Sequence, residues 1–282
     1  MDRKLSKTQL IERSINKKYR DDIWSCFTKA VKDYELILEG DKIAVCISGG
    51  KDSMLMAKLL QMLQRYSNVS FSLKYIIMNP GYSENTIKKI EENIRLLDIP
   101  AQIFETDIFD VTQKIEKSPC YLCARMRRGH LYAKAKELGC NKIALGHHFD
   151  DVIETTLMGM LYGGQIQGML PKLHSTNYEG MQLIRPLYCV REDTIKSWAR
   201  YNSLDFIRCA CKFTEKYENS AAPEEISARV KTKKIISELK KTNEKVEINI
   251  FNSIHCASVD TLINYKLNGE KHSFLERFHK GQ

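Results

Sequence analysis

Three groups of residues in this 282-residue chain have the types and spacing for chemistry. The first is Ser48-Gly49-Gly50-Lys51-Asp52-Ser53, which follows a short apolar run from Ile43 to Ile47. Two glycines without a Cβ let backbone N–H groups come close to an anion. Ser53 opens an apolar-periodic segment (Met54, Leu55, Ala57, Leu59, Leu60) whose helical N-terminus would face that anion. Lys51 adds a mobile positive charge. No glycine stands at Ala44 or Val45 to begin the Walker spacing, which argues against a GTPase-type site and leaves another kind of nucleotide loop.

The second group is thiols. Cys120 and Cys123 lie three apart at an expected helix start, followed by Arg125, Arg127 and Arg128. A helix N-terminus and arginines lower thiol pKa values, so the pair suits one metal ion or an iron cluster. A thioredoxin-type redox pair fits poorly, because the motif follows the third strand rather than the first; two purely structural cysteines are the plain alternative. Cys209-Ala210-Cys211 is a second thiol group. Four thiolates would suit structural zinc, whereas three would leave one iron of a cubane cluster open. Cys-x-Cys places its side chains awkwardly for a single ion, which favours three ligands.

The third group is Gly146-His147-His148-Phe149-Asp150-Asp151. Paired aspartates at a strand end suit Mg²⁺ or the positioning of a group that attacks ATP. Either can also cap the following helix. His147 and His148 lack the spacing of a metal pair on a helix and read as residues that orient neighbours. Tyr162-Gly163-Gly164 and Gly168-Met169-Leu170-Pro171-Lys172 form a glycine-rich loop with a lysine, suited to a nucleic acid or to a lid.

These groups need a scaffold, and alternating patterns supply one. Phe71 to Met78 reads as a strand, Glu84 to Leu97 as a helix and Ala101 to Thr106 as a strand. Leu131 to Leu138 continues a helix toward a strand from Lys142 to Leu145. Asp193 to Tyr201 reads as a further helix. This alternation predicts an α/β domain with a doubly wound parallel sheet. Ligands of such sheets collect outside the carboxyl ends of the strands, so Ser48, Met78-Asn79, Asp107 and Gly146-His147 should share one edge. Residues 8 to 38 read as two helical pieces, the second capped by Asp21 or Asp22, with Lys17, Lys18 and Arg20 between them. From Pro223 a lysine-rich helix presents an apolar stripe of Ile226, Val230, Ile235, Ile236 and Leu239. Ile248 to Phe278 offers no chemistry. The expected division is 1–40, an N-terminal helical extension; 41–215, the catalytic α/β domain; and 216–282, a C-terminal helical extension.

A hydrophobic content of 43% is enough for a packed core, and the net charge of +9 favours an anionic partner such as nucleic acid. No apolar run approaches the roughly 18 residues that span a bilayer, and the start of the chain is charged, so a cytoplasmic protein without a membrane partner is expected. Nine cysteines without an export signal imply reduced thiols.

Ser48 to Ser53 resembles the PP-loop of the N-type ATP pyrophosphatases. Together with Cys120-x-x-Cys123-Ala-Arg-Met-Arg-Arg-Gly and Leu145-Gly-His-His-Phe-Asp-Asp151, it resembles the TtcA family of tRNA 2-thiocytidine synthetases. Tyr162-Gly-Gly, Gly168-Met-Leu-Pro-Lys172 and Ile184-Arg-Pro-Leu187 extend the similarity over about residues 20 to 215. The resemblance implies a PP-loop α/β domain, ATP with Mg²⁺, and a [4Fe–4S] cluster on three cysteines: Cys120, Cys123 and, by best match, Cys209, with Cys211 as the alternative. The family's usual aspartate after the second strand is Asn79 here, and the zinc-ribbon cysteines of related thiouridine synthetases are absent.

The same resemblance implies a tRNA sulfurtransferase. ATP adenylates a base carbonyl with release of pyrophosphate, and sulfur then replaces AMP. Expected ATP contacts are Ser48, Gly49, Gly50, Lys51, Asp52, Ser53, Met78, Gly146 and His147; Lys51, Asp150, Asp151 and Arg128 carry the catalytic roles, with Arg127 as the alternative arginine. tRNA and a sulfur donor, a cysteine desulfurase or sulfide, are the expected partners; a homodimer is left open. Two other readings stay in view: an iron–sulfur desulfidase working without ATP, and a nucleotide- and cluster-binding sensor.

Overall fold

A computed structural model describes residues 5–109, 119–207 and 228–280. Five parallel strands and one antiparallel edge strand form its central sheet. In chain order these are β1 (Lys42–Ile47), β2 (Ser72–Asn79), β3 (Ala101–Glu105), β4 (Lys142–Ala144), β5 (Lys172–His174) and β6 (Gln182–Ile184). Their spatial order is β3-β2-β1-β4-β6-β5. Order reverses between β1 and β4, the switch point where the crevice of an open α/β sheet forms. Only β5 runs antiparallel, pairing Leu173 with Leu183.

Period-two alternation splits β1 between two apolar layers. Ile43, Val45 and Ile47 join a layer with α1 (Lys7–Asn16), α2 (Cys26–Asp33), α3 (Lys51–Tyr66) and α7 (Glu192–Tyr201). Ala44 and Cys46 face Tyr132 and Ala135 of α5 (Pro119–Glu137) on the other side. The N-terminal helices thus belong to the sheet's own core, with Ile11, Ile15, Ile23 and Phe27 fully buried beside Trp198.

Local signals explain several boundaries. Ser6 and Gln9 form a reciprocal capping box at the start of α1. Ser83 accepts from the Thr86 N–H at the start of α4 (Glu84–Leu97), which ends on Asp98 in the left-handed conformation. The expected cap at Asp21 or Asp22 is not made. Both residues lie in a π-helical turn, Arg20–Ser25, which runs directly into α2, so no exposed helix start exists there to cap.

The chain divides into two compact units, Met1–Val152 with Met169–Ile226, and Ile153–Gly168 with Ser227–Gln282. The chain leaves the first within α6 (Phe149–Gly163). The second unit contains the rest of α6, α8 (Ala228–Thr242), α9 (Val246–Ser253), a hairpin of β7 (Asn264–Leu267) and β8 (Glu270–Ser273), and α10 (Phe274–Lys280). Within it the buried Glu154 carboxylate accepts from Arg229 at 3.0 Å. Gly168 approaches Ile254 so closely that a Cβ would meet its side chain at 2.9 Å.

The apolar stripe expected on α8 is rotated from the buried face. Thr232 and Ile236 are buried, whereas Val230, Ile235 and Leu239 are exposed, and Ile226 lies outside the described residues. The hairpin answers to Asn268-Gly269, both with positive φ, a type I′ signal present in the sequence.

Candidate functional site

The loop after β1 is built for close backbone approach. Gly49 has φ +88°, and a Cβ there would meet Ile207 and Ile90 at 2.7 and 2.8 Å. Gly50 caps α3 without any side-chain hydrogen bond, so the first N–H groups of α3 are not covered by a capping side chain. Ser53 fixes the loop from behind. Its hydroxyl donates to the Gly50 carbonyl at 3.0 Å and accepts from the Ser48 N–H at 3.1 Å.

Across the switch point, Gly146 follows β4. A Cβ there would lie 3.0 Å from the Ser53 nitrogen and 3.1 Å from its Cα, so only glycine lets this turn sit against the first turn of α3. Between these turns lies a cavity of about 240 Å³, lined by Cys46, Met78, Leu131, Leu145 and His147 along with Ser48, Asp52 and Ser53. Tyr82 and Arg127 border it and also line a second, open cavity of about 810 Å³. Ser48, Gly50, Lys51 and Asp52 form one wall of that larger space. Lys196, Arg200, Leu204, Phe206 and Ile207 form another.

Lys51 is held by two carboxylates, Asp52 at 3.0 Å and Glu192 at 3.1 Å. Burial opposes its charge, but Asp52 and Glu192 outweigh it and hold the ammonium pKa above the usual lysine range. The buried Oδ1 of Asp52 has no hydrogen-bond partner among the described residues; His148 Nε2 stands 3.9 Å away.

Asp150 and Asp151 both serve the chain itself. Asp151 accepts from the His148 N–H at 3.0 Å while its own N–H donates to His148 Nδ1 at 3.4 Å, a reciprocal cap on α6. Asp150 accepts from the Glu192 N–H at 2.7 Å and so pins the start of α7 to the start of α6. His148, which is buried, makes both bonds with Asp151. Among the described residues no group of three or more metal-ligating side chains comes together.

Other expected residues fall as follows. Met78, Gly146 and His147 join the smaller cavity. Arg127 lines both cavities, whereas Arg128 is exposed, and its charge, after burial itself, helps lower the pKa of Arg185 to about 10. Asp107 is exposed and lines neither cavity. Lys172 is no lid lysine: as the first residue of β5 it donates to the Glu35 carbonyl at 3.1 Å and pairs with the Glu35 carboxylate at 3.5 Å. Cys120 and Cys123 are the second and fifth residues of α5, and Cys209 and Cys211 lie outside the described residues.

Sequence reasoning missed Tyr82, Glu192, Lys196 and Arg200. One signal was available for Tyr82: Asn79 opens an Asx turn, its Oδ1 accepting from the Gly81 and Tyr82 N–H groups at 3.1 and 2.7 Å, which sets Tyr82 at the cavity edge.

A glycine-flanked helix N-terminus at the switch point, beside a small cavity that includes Cys46, Met78, Leu131 and Leu145 and a larger one bordered by Lys51, Lys196 and Arg200, is the site of a nucleotide-binding α/β domain. The PP-loop domain family matches residues 18–227, and the chain belongs to that family. A tRNA-cytidine(32) 2-sulfurtransferase of Neisseria meningitidis serogroup C is 38% identical over 212 residues, covering 73% of this chain and 64% of that one. A protein of the same name from Vibrio vulnificus is 45% identical over 175 residues, covering 60% and 55%. Another from Cellvibrio japonicus is 40% identical over 207 residues, covering 71% and 67%. The chain therefore spans between about half and two thirds of the length of these curated relatives. Among solved structures, the U34-tRNA thiolase NcsA from Methanococcus maripaludis with its [4Fe–4S] cluster superposes with a TM-score of 0.61. It shares 22% identity over 82% of this chain and 77% of that one, a likeness of fold. No helix among the described residues is long and apolar enough to cross a membrane.

Proposed function

We propose that the chain is an ATP-dependent tRNA sulfurtransferase that adenylates a base carbonyl and replaces its oxygen with sulfur, with C2 of cytidine as the target. The reading rests above all on the glycine-lined turn at Ser48–Lys51, which faces two adjoining cavities of different size. It is supported by the relatives named tRNA-cytidine(32) 2-sulfurtransferase.

The residues fit ATP. The smaller cavity, with Cys46, Met78, Leu131 and Leu145, has the size and apolar lining for a purine. The N–H groups at Gly50 and the start of α3, with the Lys51 ammonium, receive the phosphates and stabilise the departing pyrophosphate. A base carbonyl reaching the α-phosphate from the larger cavity would pass Arg127, while Lys196 and Arg200 meet the RNA backbone. Phe206 and Tyr82 offer rings for an unstacked base.

Asp52, whose Oδ1 has no hydrogen-bond partner among the described residues, is the best-placed carboxylate for Mg²⁺, which would offset phosphate charge; Asp150 shapes the site by tying α6 to α7, and Asp151 by capping α6. Cys120 and Cys123, near the start of α5, with Cys209 or Cys211 would be the thiolates that hold a [4Fe–4S] cluster, which when bound would supply sulfur to the activated carbon. A cytoplasmic location, a cysteine desulfurase or sulfide as donor, and assembly as a homodimer belong to the same proposal.

The test is direct. Anaerobically purified protein, given ATP, Mg²⁺, sulfide and unmodified tRNA, should release AMP and pyrophosphate only when tRNA is present, and mass spectrometry of the digested tRNA should show 2-thiocytidine. Sulfide release from thiolated bases without ATP would replace this reading with a desulfidase; nucleotide binding without products would leave a sensor.

A further inference from the structure

Glu192 stands between Lys51 of the phosphate loop, Lys196 of its own helix and Asp150 of α6, although sequence reasoning gave it no part. Its Oε1 lies 3.1 Å from Lys51 Nζ, and its Oε2 accepts from Lys196 Nζ at 2.9 Å. Its main-chain N–H, the first of α7, donates to Asp150 Oδ2 at 2.7 Å. The side chain is only 12% exposed, less than the 26% of the lysine it holds. One carboxylate therefore joins the phosphate-loop cation to a second cation of the larger cavity, and a main-chain bond fixes its own position.

A carboxylate beside a triphosphate site carries an electrostatic cost. It repels the incoming anion, the more strongly because the site is partly shielded from water. Such a group is retained where orientation outweighs repulsion. Lys51 has four rotatable side-chain bonds, and Asp52, its sequence neighbour, holds it from one side only. Glu192 reaches it from a different helix.

We infer that Glu192 is a positioning residue that aims the Lys51 ammonium at the leaving pyrophosphate, giving up ground-state affinity for ATP in exchange for transition-state alignment. The inference rests on the proposed ATP chemistry of this site. It separates the two halves of catalysis in a way that structural damage does not. Glu192→Gln removes the charge but keeps the main-chain N–H, so the bond to Asp150 and the start of α7 survive.

The experiment measures Mg·ATP affinity by calorimetry without tRNA, and tRNA-dependent AMP release with sulfide present. For Glu192→Gln, ATP should bind as tightly as to the wild type or severalfold more tightly, while kcat falls about tenfold. Glu192→Asp should recover part of the rate, and adding Glu192→Gln to Lys51→Met should cost nothing further.

An unchanged kcat, or a fall in ATP affinity alongside kcat, overturns the inference; so does full additivity with Lys51→Met. Failure of the thiolation reading looks different. The wild type would then release no AMP with tRNA, and the calorimetric arm alone would decide, with weaker ATP binding by Glu192→Gln counting against the role proposed here.

Discussion

The two ends of β1 both carry a lysine–carboxylate cluster, and the two are built to opposite rules. At the amino end Asp41 is buried and fully engaged: it accepts from the Leu38 N–H at 2.6 Å, Asn141 Nδ2 at 2.8 Å and Lys142 Nζ at 2.6 Å. Lys142, 2% exposed, also donates to the Leu36 carbonyl at 3.0 Å. At the carboxyl end Lys51 and Asp52 are about a quarter exposed, one Asp52 oxygen has no hydrogen-bond partner among the described residues, and the cluster borders open space. The first cluster is buried and its charges face each other. The second keeps its charges accessible, as an anion site must.

The sharpest way to break this contrast is at the closed end. Asp41→Ala leaves the Lys142 ammonium buried without its carboxylate and should cost about 3–5 kcal/mol of stability, read from the denaturant midpoint at constant m-value. Lys51→Ala should do the reverse, lowering AMP formation about a hundredfold while stability moves by less than about 1 kcal/mol. Iron content, if the thiolate set is as proposed, should not change in Lys51→Ala and should be lost in Cys120→Ala, measured by absorbance and metal analysis on anaerobic protein.

A smaller effect is expected at the turn that brings the two sides together. Gly146→Ala presses a methyl against the Ser53 backbone at 3.0–3.1 Å, and the resulting shift of α3 should weaken ATP binding about tenfold in calorimetry. Smallest is the arginine pair. Arg127→Ala should lower ATP turnover severalfold, whereas Arg128→Ala, exposed and outside both cavities, should leave it within about twofold.

A pH titration bears on neither end of β1 but on the pair behind it. Burial works against ionised Glu12, yet its hydrogen bonds to Arg65 and Lys58 hold its pKa below the usual value. Its contribution is present above the ordinary glutamate pKa and lost as pH falls through the folded value, so Glu12→Gln should flatten the acid limb of the stability profile.

The site was legible where chemistry is local. Glycines at 49 and 50, a lysine at 51 and an apolar strand before them specify an anion loop in any fold that forms β1 and α3. The parallel sheet was equally readable from the spacing of strands and helices. Lys172 was misread as a loop lysine because β5 and β6 have three residues each and carry too little periodicity to register. Arg127 and Arg128 are adjacent and alike in sequence; only the packing of α5 puts one at the cavities and the other in solvent. Asp150 and Asp151 read equally as metal ligands or as helix caps; the Asp151 cap is local to His148, whereas the bond from Glu192 to Asp150 depends on where α7 begins.

Composition and motif order by themselves determined the class of fold, the anion-binding turn and the family, since these follow from backbone preferences and from residue types at fixed spacing. Tertiary structure alone decided that Glu192, 141 residues downstream of Lys51, would be the carboxylate to grip it from the facing helix. Such long-range pairs arise from how helices dock on a sheet, and no local preference encodes which of many similar acids will arrive.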